Sequence, residues 1–117
     1  MLRWVAAIAC CILIVCSVPA FSRSFVILGG GTESCGTWTK ERRHRDLASY
    51  VLESWVLGYI SAINVHVLKN SEDISAGTNN EGLLGWMDNY CQEHPLDEVR
   101  VAADALIVVL VKRSGAS

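Results

Sequence analysis

Beyond residue 38 the apolar positions of this chain recur at intervals of three and four, with polar clusters interrupting them. From Thr39 to Leu68, one stripe holds Leu47, Val51, Trp55, Gly58, Ala62 and Val65, and a second beside it holds Ala48, Leu52, Tyr59 and Ile63. That spacing predicts one long helix capped by Thr39. Two adjacent stripes make a broad apolar face, which suits a central helix covered by two neighbours. Glu41 and the basic run Arg42, Arg43, His44 and Arg45 read as its solvated first turn; the alternative is an anion site near a helix N-terminus. Lys69 to Gly77 is rich in Asn, Ser, Glu, Asp and Gly and reads as a loop.

Thr78-Asn79-Asn80-Glu81 has the form of a capping box, in which the threonine hydroxyl and the glutamate carboxylate each satisfy a free amide at a helix start. Behind it Leu83, Met87, Tyr90 and Cys91 share a face, with Leu84 and Trp86 at its margins. Pro95 ends that helix and can open the next. The last helix is expected from Leu96 to about Lys112, with Asp97 and Glu98 in its first turn and Lys112 and Arg113 in its last, the order a helix dipole favours. Val99, Ala102, Ala103, Leu106 and Leu110 form its inner face. The run from Ile107 to Val111 is apolar on every side, so Ile107, Val108, Val109 and Val111 are a candidate self-association face, weighed against simple core burial. Its β-branched residues also allow a strand, although no hairpin partner is evident. With only about ten apolar residues it is too short to span a membrane. The expected fold is all-α, a small orthogonal bundle of about three to four helices.

The N-terminus changes the picture. Residues 4–18 carry no charge, Arg3 precedes them, and Pro19-Ala20-Phe21-Ser22-Arg23 follows, the arrangement of a secretory signal with its cut between Ser22 and Arg23. An uncleaved anchor is the alternative, since about 18 apolar residues can just cross a bilayer. Cys10 and Cys16 lie inside the apolar run rather than after it, which argues against a lipoprotein. The expected organisation is a signal over 1–22, an arm with the first cysteine over 23–38, and a helical domain over 39–117 continuous with the arm.

Removing residues 1–22 leaves one small domain with a modest core. Nine basic side chains then face twelve acidic ones, a net charge of −3, which argues against nucleic acid as a partner. Three of five cysteines leave as well, and Cys35 and Cys91 remain. In an oxidising compartment such a pair in a small domain forms one disulfide, and a loop of this length stabilises by about 4 kcal/mol in the chain-entropy account. The expected location is periplasmic or secreted, with no membrane contact after cleavage.

Candidate chemistry thins out under the same reading. Cys91 and His94 are three residues apart, but His94 stands at a helix end beside Pro95, and a paired cysteine is no nucleophile. Zinc needs three or four ligands, and His44 and His66 are isolated in sequence. Gly31 to Gly36 has the interval of a phosphate loop, yet Thr37 and Trp38 follow it in place of Lys and Ser or Thr. Glu72 and Asp73 lack the alternating acids of a calcium loop. No G-x-S-x-G elbow is present. Neither a catalytic residue, nor a metal ligand, nor a cofactor is assigned. Of the tryptophans, Trp55 and Trp86 are expected in the core, and Trp38, near Cys35, is placed to pack over the disulfide.

Three stretches together resemble a known group: Cys35-Gly36 before a long helix with Trp55-Val56-Leu57-Gly58-Tyr59, then Trp86-Met87-Asp88-Asn89-Tyr90-Cys91 with Pro95, then a final apolar helix. Over about residues 35–111 the chain is similar to the small secreted helical proteins of the HdeA/Rap1a-like group, which holds periplasmic acid-stress chaperones and immunity proteins against cell-wall-degrading effectors. The resemblance implies an all-helical domain pinned by Cys35 and Cys91, often a homodimer, in the periplasm. It carries no catalytic residues across. The tryptophan-bearing helix and Tyr-Cys ending look more like the immunity branch, so the expected function is binding of a protein partner, with an acid-stress chaperone as the alternative.

Overall fold

The computed structural model describes residues 25–67 and 73–115. The signal segment with Ser22 and Arg23, the last residue of the expected long helix (68) and residues 69–72 of the expected loop lie outside the described residues. Four α-helices make the fold: α1 (Cys35–His44), α2 (Leu47–Ala62), α3 (Asn80–Glu93) and α4 (Val99–Ser114), with a 3-10 turn over Gly29–Thr32 and a π-helical turn over Ile63–Val67 that prolongs α2. No named strand occurs among the described residues. The chain is an all-α bundle with one disulfide, in which α1 and α4 each pack against the other three helices.

The single long helix expected from Thr39 is two helices. Ser34 caps α1, its hydroxyl accepting from the Thr37 amide at 3.0 Å, so the helix starts at Cys35. It stops at Arg45, which takes a left-handed backbone with φ 51°. Asp46 then restarts the chain, its carboxylate accepting from the amides of Ala48 and Ser49. A short acid side chain that bonds amides two and three residues on competes well with helix continuation. The polar run before Leu47 reads equally well as the first turn of one longer helix, which conceals the break.

Two further helix starts shift for similar reasons. Asn79, not Thr78, caps α3, with its side-chain oxygen accepting from the Gly82 amide at 2.8 Å. The last helix starts at Val99 rather than Leu96, because the backbone before it is already engaged. Cys35 N donates to Asp97 O at 2.7 Å, Val99 N to Glu33 O at 2.8 Å and Gly36 N to Pro95 O at 2.9 Å. Ser34 and Glu98 thus form an antiparallel bridge that holds the start of α1 beside the start of α4. Asp97 and Glu98 lie outside the helix, and Asp97 instead accepts the Tyr90 hydroxyl at 2.8 Å.

The core gathers Trp38, Val56, Met87, Val99, Ala102, Ala103 and Leu106 around the buried Cys35–Cys91 bridge. On α4 the buried positions are Val99, Ala102, Ala103, Leu106 and Leu110, the face the spacing predicts. On α2 they are Ser49, Leu52, Glu53, Val56 and Ile60. The expected stripe there is displaced: Leu47 and Val51 are 78% and 55% exposed. Trp55 and Trp86 are half-buried at the edge of the core, stacked on Tyr59 and Tyr90 with ring centroids 5.0 and 5.5 Å apart. Ile74, in the segment read as a polar loop, is fully buried. Asp73 organises it, accepting from Asn64 and from the Ser75 amide and hydroxyl, which holds the Asp73 carboxyl below its ordinary range.

Candidate functional site

Arg42 is the electrostatic centre of the bundle, not part of a solvated first turn. It lies in the last turn of α1, where its Nε and Nη2 donate to the two oxygens of Asp88 on α3 at 2.9 and 2.8 Å. Its Nη1 donates to Glu53 of α2 at 2.6 Å. Ser49 donates to the same Glu53 oxygen at 2.7 Å, and Trp38 Nε1 to Asp88 at 2.8 Å. The hydrogen bonds donated to Asp88 hold the guanidinium charged far more firmly than usual, and Glu53 adds to this against the opposing effect of burial. Glu53 is only 9% exposed, which a carboxylate tolerates when paired and hydrogen-bonded in this way. Three helices are thereby fixed around one side chain.

Two of the clefts beside α1 differ sharply in character. A polar one of about 360 Å³ is lined by Thr39, Arg42, Arg43, Arg45, Asp88 and Gln92. The other, of about 800 Å³, is bordered by Gly29, Gly30 and Glu33 before α1, by Thr37 and Glu41 on it, and by Leu47, Ala48, Val51 and Leu52 on α2. Its lining is mostly apolar, and the exposed Leu47 and Val51 belong to it. The residues read as a core stripe therefore form an open surface instead, because the helix break at Arg45 turns α2 so that Leu52, Val56 and Ile60 face inward.

The glycine turn shapes the same region. A side chain at Gly31 would collide with the Trp55 indole ring, so glycine lets the backbone lie directly on it. Trp55 Nε1 donates to Leu28 O at 2.7 Å and secures the arm from the other side. What the sequence offers as a phosphate-loop interval is an aromatic docking point.

The residues singled out from sequence lie apart. Cys35 and Cys91 are joined, with Cα atoms 4.6 Å apart, so neither carries a thiol. His44, His66 and His94 are exposed on different elements, and His94 stacks on Tyr90 with ring centroids 4.4 Å apart. Among the described residues no three metal-ligating side chains gather. On α4, Val108 and Val109 are exposed whereas Ile107 and Val111 are half-buried against the core, so the candidate self-association face narrows to two valines. The Tyr59 hydroxyl donates to Asp104 at 2.7 Å, and Arg100 holds the other oxygen of Asp104 at 2.6 Å. Burial, reinforced by that hydrogen bond, pushes the Tyr59 phenol up to about 12. The groove and Glu53 are what sequence reasoning missed; the signal available was an acid at position 53 inside an otherwise apolar helix. In comparison with known proteins, the chain matches no family model, no curated protein and no solved structure.

Proposed function

We propose that this is an exported, non-enzymatic helical protein that acts by binding another protein, in the manner of an immunity protein. The observation that carries the reading is the open apolar groove on α1 and α2, set against a wall fixed by the disulfide and by Arg42. Exposed apolar surface of this kind on a small domain marks an interaction site. A rigid wall lowers the entropy lost on docking. Export is supported by the disulfide, which persists in oxidising compartments, and by the charge and apolar pattern of residues 1–23. No helix among the described residues is long and apolar enough to cross a membrane. The resemblance to the HdeA/Rap1a-like group points the same way, toward a periplasmic binding protein.

A second reading, an acid-stress chaperone, is favoured by the Arg42 cluster. That cluster holds three helices together through two carboxylates, and a bundle opened at that junction would expose its core. The two readings separate in one experiment: affinity capture from periplasmic extract at neutral and at acid pH, with wild type and Val51→Asp. The binding reading expects a stoichiometric partner at neutral pH that Val51→Asp loses. Capture confined to acid, with many unrelated proteins, would replace it with the chaperone reading. Val108 and Val109 are the surface for a homodimer, and sedimentation of Val108→Asp beside wild type tests that state.

A further inference from the structure

The groove contains a charge that its surroundings match poorly. The Glu41 side chain is 14% exposed, and its ion-pair partner is Lys40, whose ammonium is 3.4 Å away on a side chain 70% exposed. A solvated neighbouring lysine offsets little of the desolvation of a carboxylate. Glu33, an exposed residue, lines the same groove, and among the described residues its side chain has neither an ion pair nor a hydrogen bond, so it is open to a cation brought by a partner. Most of the remaining lining is apolar: Gly29, Gly30, Leu47, Ala48, Val51 and Leu52. One shielded carboxylate with a solvated partner, and an exposed one at the rim, beside an apolar floor make a surface complementary to a cation attached to an apolar body.

We propose that this groove seats a basic amphipathic segment of the partner protein, with an apolar side chain on Leu47, Val51 and Leu52 and a lysine or arginine against Glu41 and Glu33. The inference rests on the protein-binding reading above and adds the chemistry of the partner. Apolar contact supplies the affinity of such a docking, and the paired charges select the partner and its orientation. A neutral apolar segment would leave Glu41 more deeply desolvated and unpaired, so the acids also act against wrong partners.

The test uses the purified protein at neutral pH and two synthetic helical probes, one with a leucine face and lysines, the other with every lysine replaced by glutamine. The leucine–lysine probe is expected to bind, and Glu41→Gln and, separately, Glu33→Gln to weaken it about tenfold, as loss of one favourable charge contact would. Glu81→Gln removes the same charge from the exposed first turn of α3 and should leave binding unchanged. The leucine–glutamine probe should bind about tenfold more weakly than its lysine counterpart. Thermal melts of each variant verify that it is folded, and the two groove variants stand in for each other. Equal losses for Glu41→Gln and Glu81→Gln would overturn the proposal in favour of general attraction between opposite net charges. So would equal binding of the two probes, or binding of dodecylammonium, but of neither peptide, in a Glu41-dependent manner. If the probes fail while neutral-pH capture still depends on Val51, the basic segment is wrong and protein binding stands; if that capture fails as well, protein binding itself is wrong.

Discussion

Arg42 and Asp88 meet in a two-bond fork, with Nε to Oδ1 at 2.9 Å and Nη2 to Oδ2 at 2.8 Å, and so tie α1 to α3 across 46 residues of sequence. The third nitrogen reaches Glu53 on α2, so truncating Arg42 strands one nearly buried carboxylate and frees another. Arg42→Met is expected to destabilise the fold by about 3 kcal/mol, the range for breaking a largely buried pair by removing one partner. Arg42→Lys keeps the charge without the planar fork and should lose about half as much. Lys40→Ala, which removes only the surface contact to Glu41, should change stability by less than about 0.5 kcal/mol. Urea unfolding of the three variants measures all of this.

The disulfide lies a short distance away, linking Cys35 in the first turn of α1 to Cys91 in the last turn of α3. Cys35→Ser and Cys91→Ser should destabilise equally, by about 4 kcal/mol in the chain-entropy account. Thiol titration of the unfolded wild type should find no thiol from either residue until a reductant is added. A nucleophilic role for Cys91 would appear as a loss of function specific to the Cys91 variant.

Two glycines should respond in opposite directions. Gly31→Ala pushes a methyl group into the Trp55 ring and strains the Trp55–Leu28 hydrogen bond, with an expected destabilisation of about 1–3 kcal/mol. Gly58, in the exposed middle of α2, has open space where a Cβ would stand. Gly58→Ala should therefore stabilise by up to about 1 kcal/mol through helix propensity. Thermal melts decide both signs, and tryptophan emission should shift only for Gly31→Ala.

Alkaline pH reads the Tyr59–Asp104 contact. The Tyr59 phenol is raised to about 12 in the folded protein by burial and by its bond to Asp104. A group whose folded value is raised contributes stability that is complete below its unfolded value and is lost as pH climbs through the folded one. The contribution should thus be present up to about pH 10, the ordinary phenol value, and fade between there and about pH 12. Phenolate absorbance should show a late component near the top of that window, and Tyr59→Phe should remove it. Tyr90, raised by its hydrogen bond to Asp97, titrates later than an ordinary phenol as well.

How much of this was legible in the sequence depended on whether a feature was local. The inner face of α4 could be read because Val99, Ala102, Ala103, Leu106 and Leu110 repeat without interruption within one helix. The cysteine pair followed from counting. The break at Arg45 could not be read: a left-handed turn usually announces itself with glycine, and here arginine takes it inside a polar run that passes for a solvated first turn. Nor could the burial of Glu53, because it depends on Arg42 from another helix and Ser49 one turn earlier in its own. Once the break turns α2, Leu47 and Val51 move from expected core to open groove. The candidate site was hidden because its residues match the pattern of a core stripe.

The central claim is that the groove on α1 and α2 is where this protein meets another. Its most direct measurement is the affinity of the partner captured at neutral pH for wild type, Val51→Asp and Val108→Asp, by titration calorimetry. The expected result is a loss of at least about tenfold for Val51→Asp and an affinity like that of wild type for Val108→Asp, whose exposed side chain does not line the groove. Equal affinities for wild type and Val51→Asp, with both proteins folded, would contradict it.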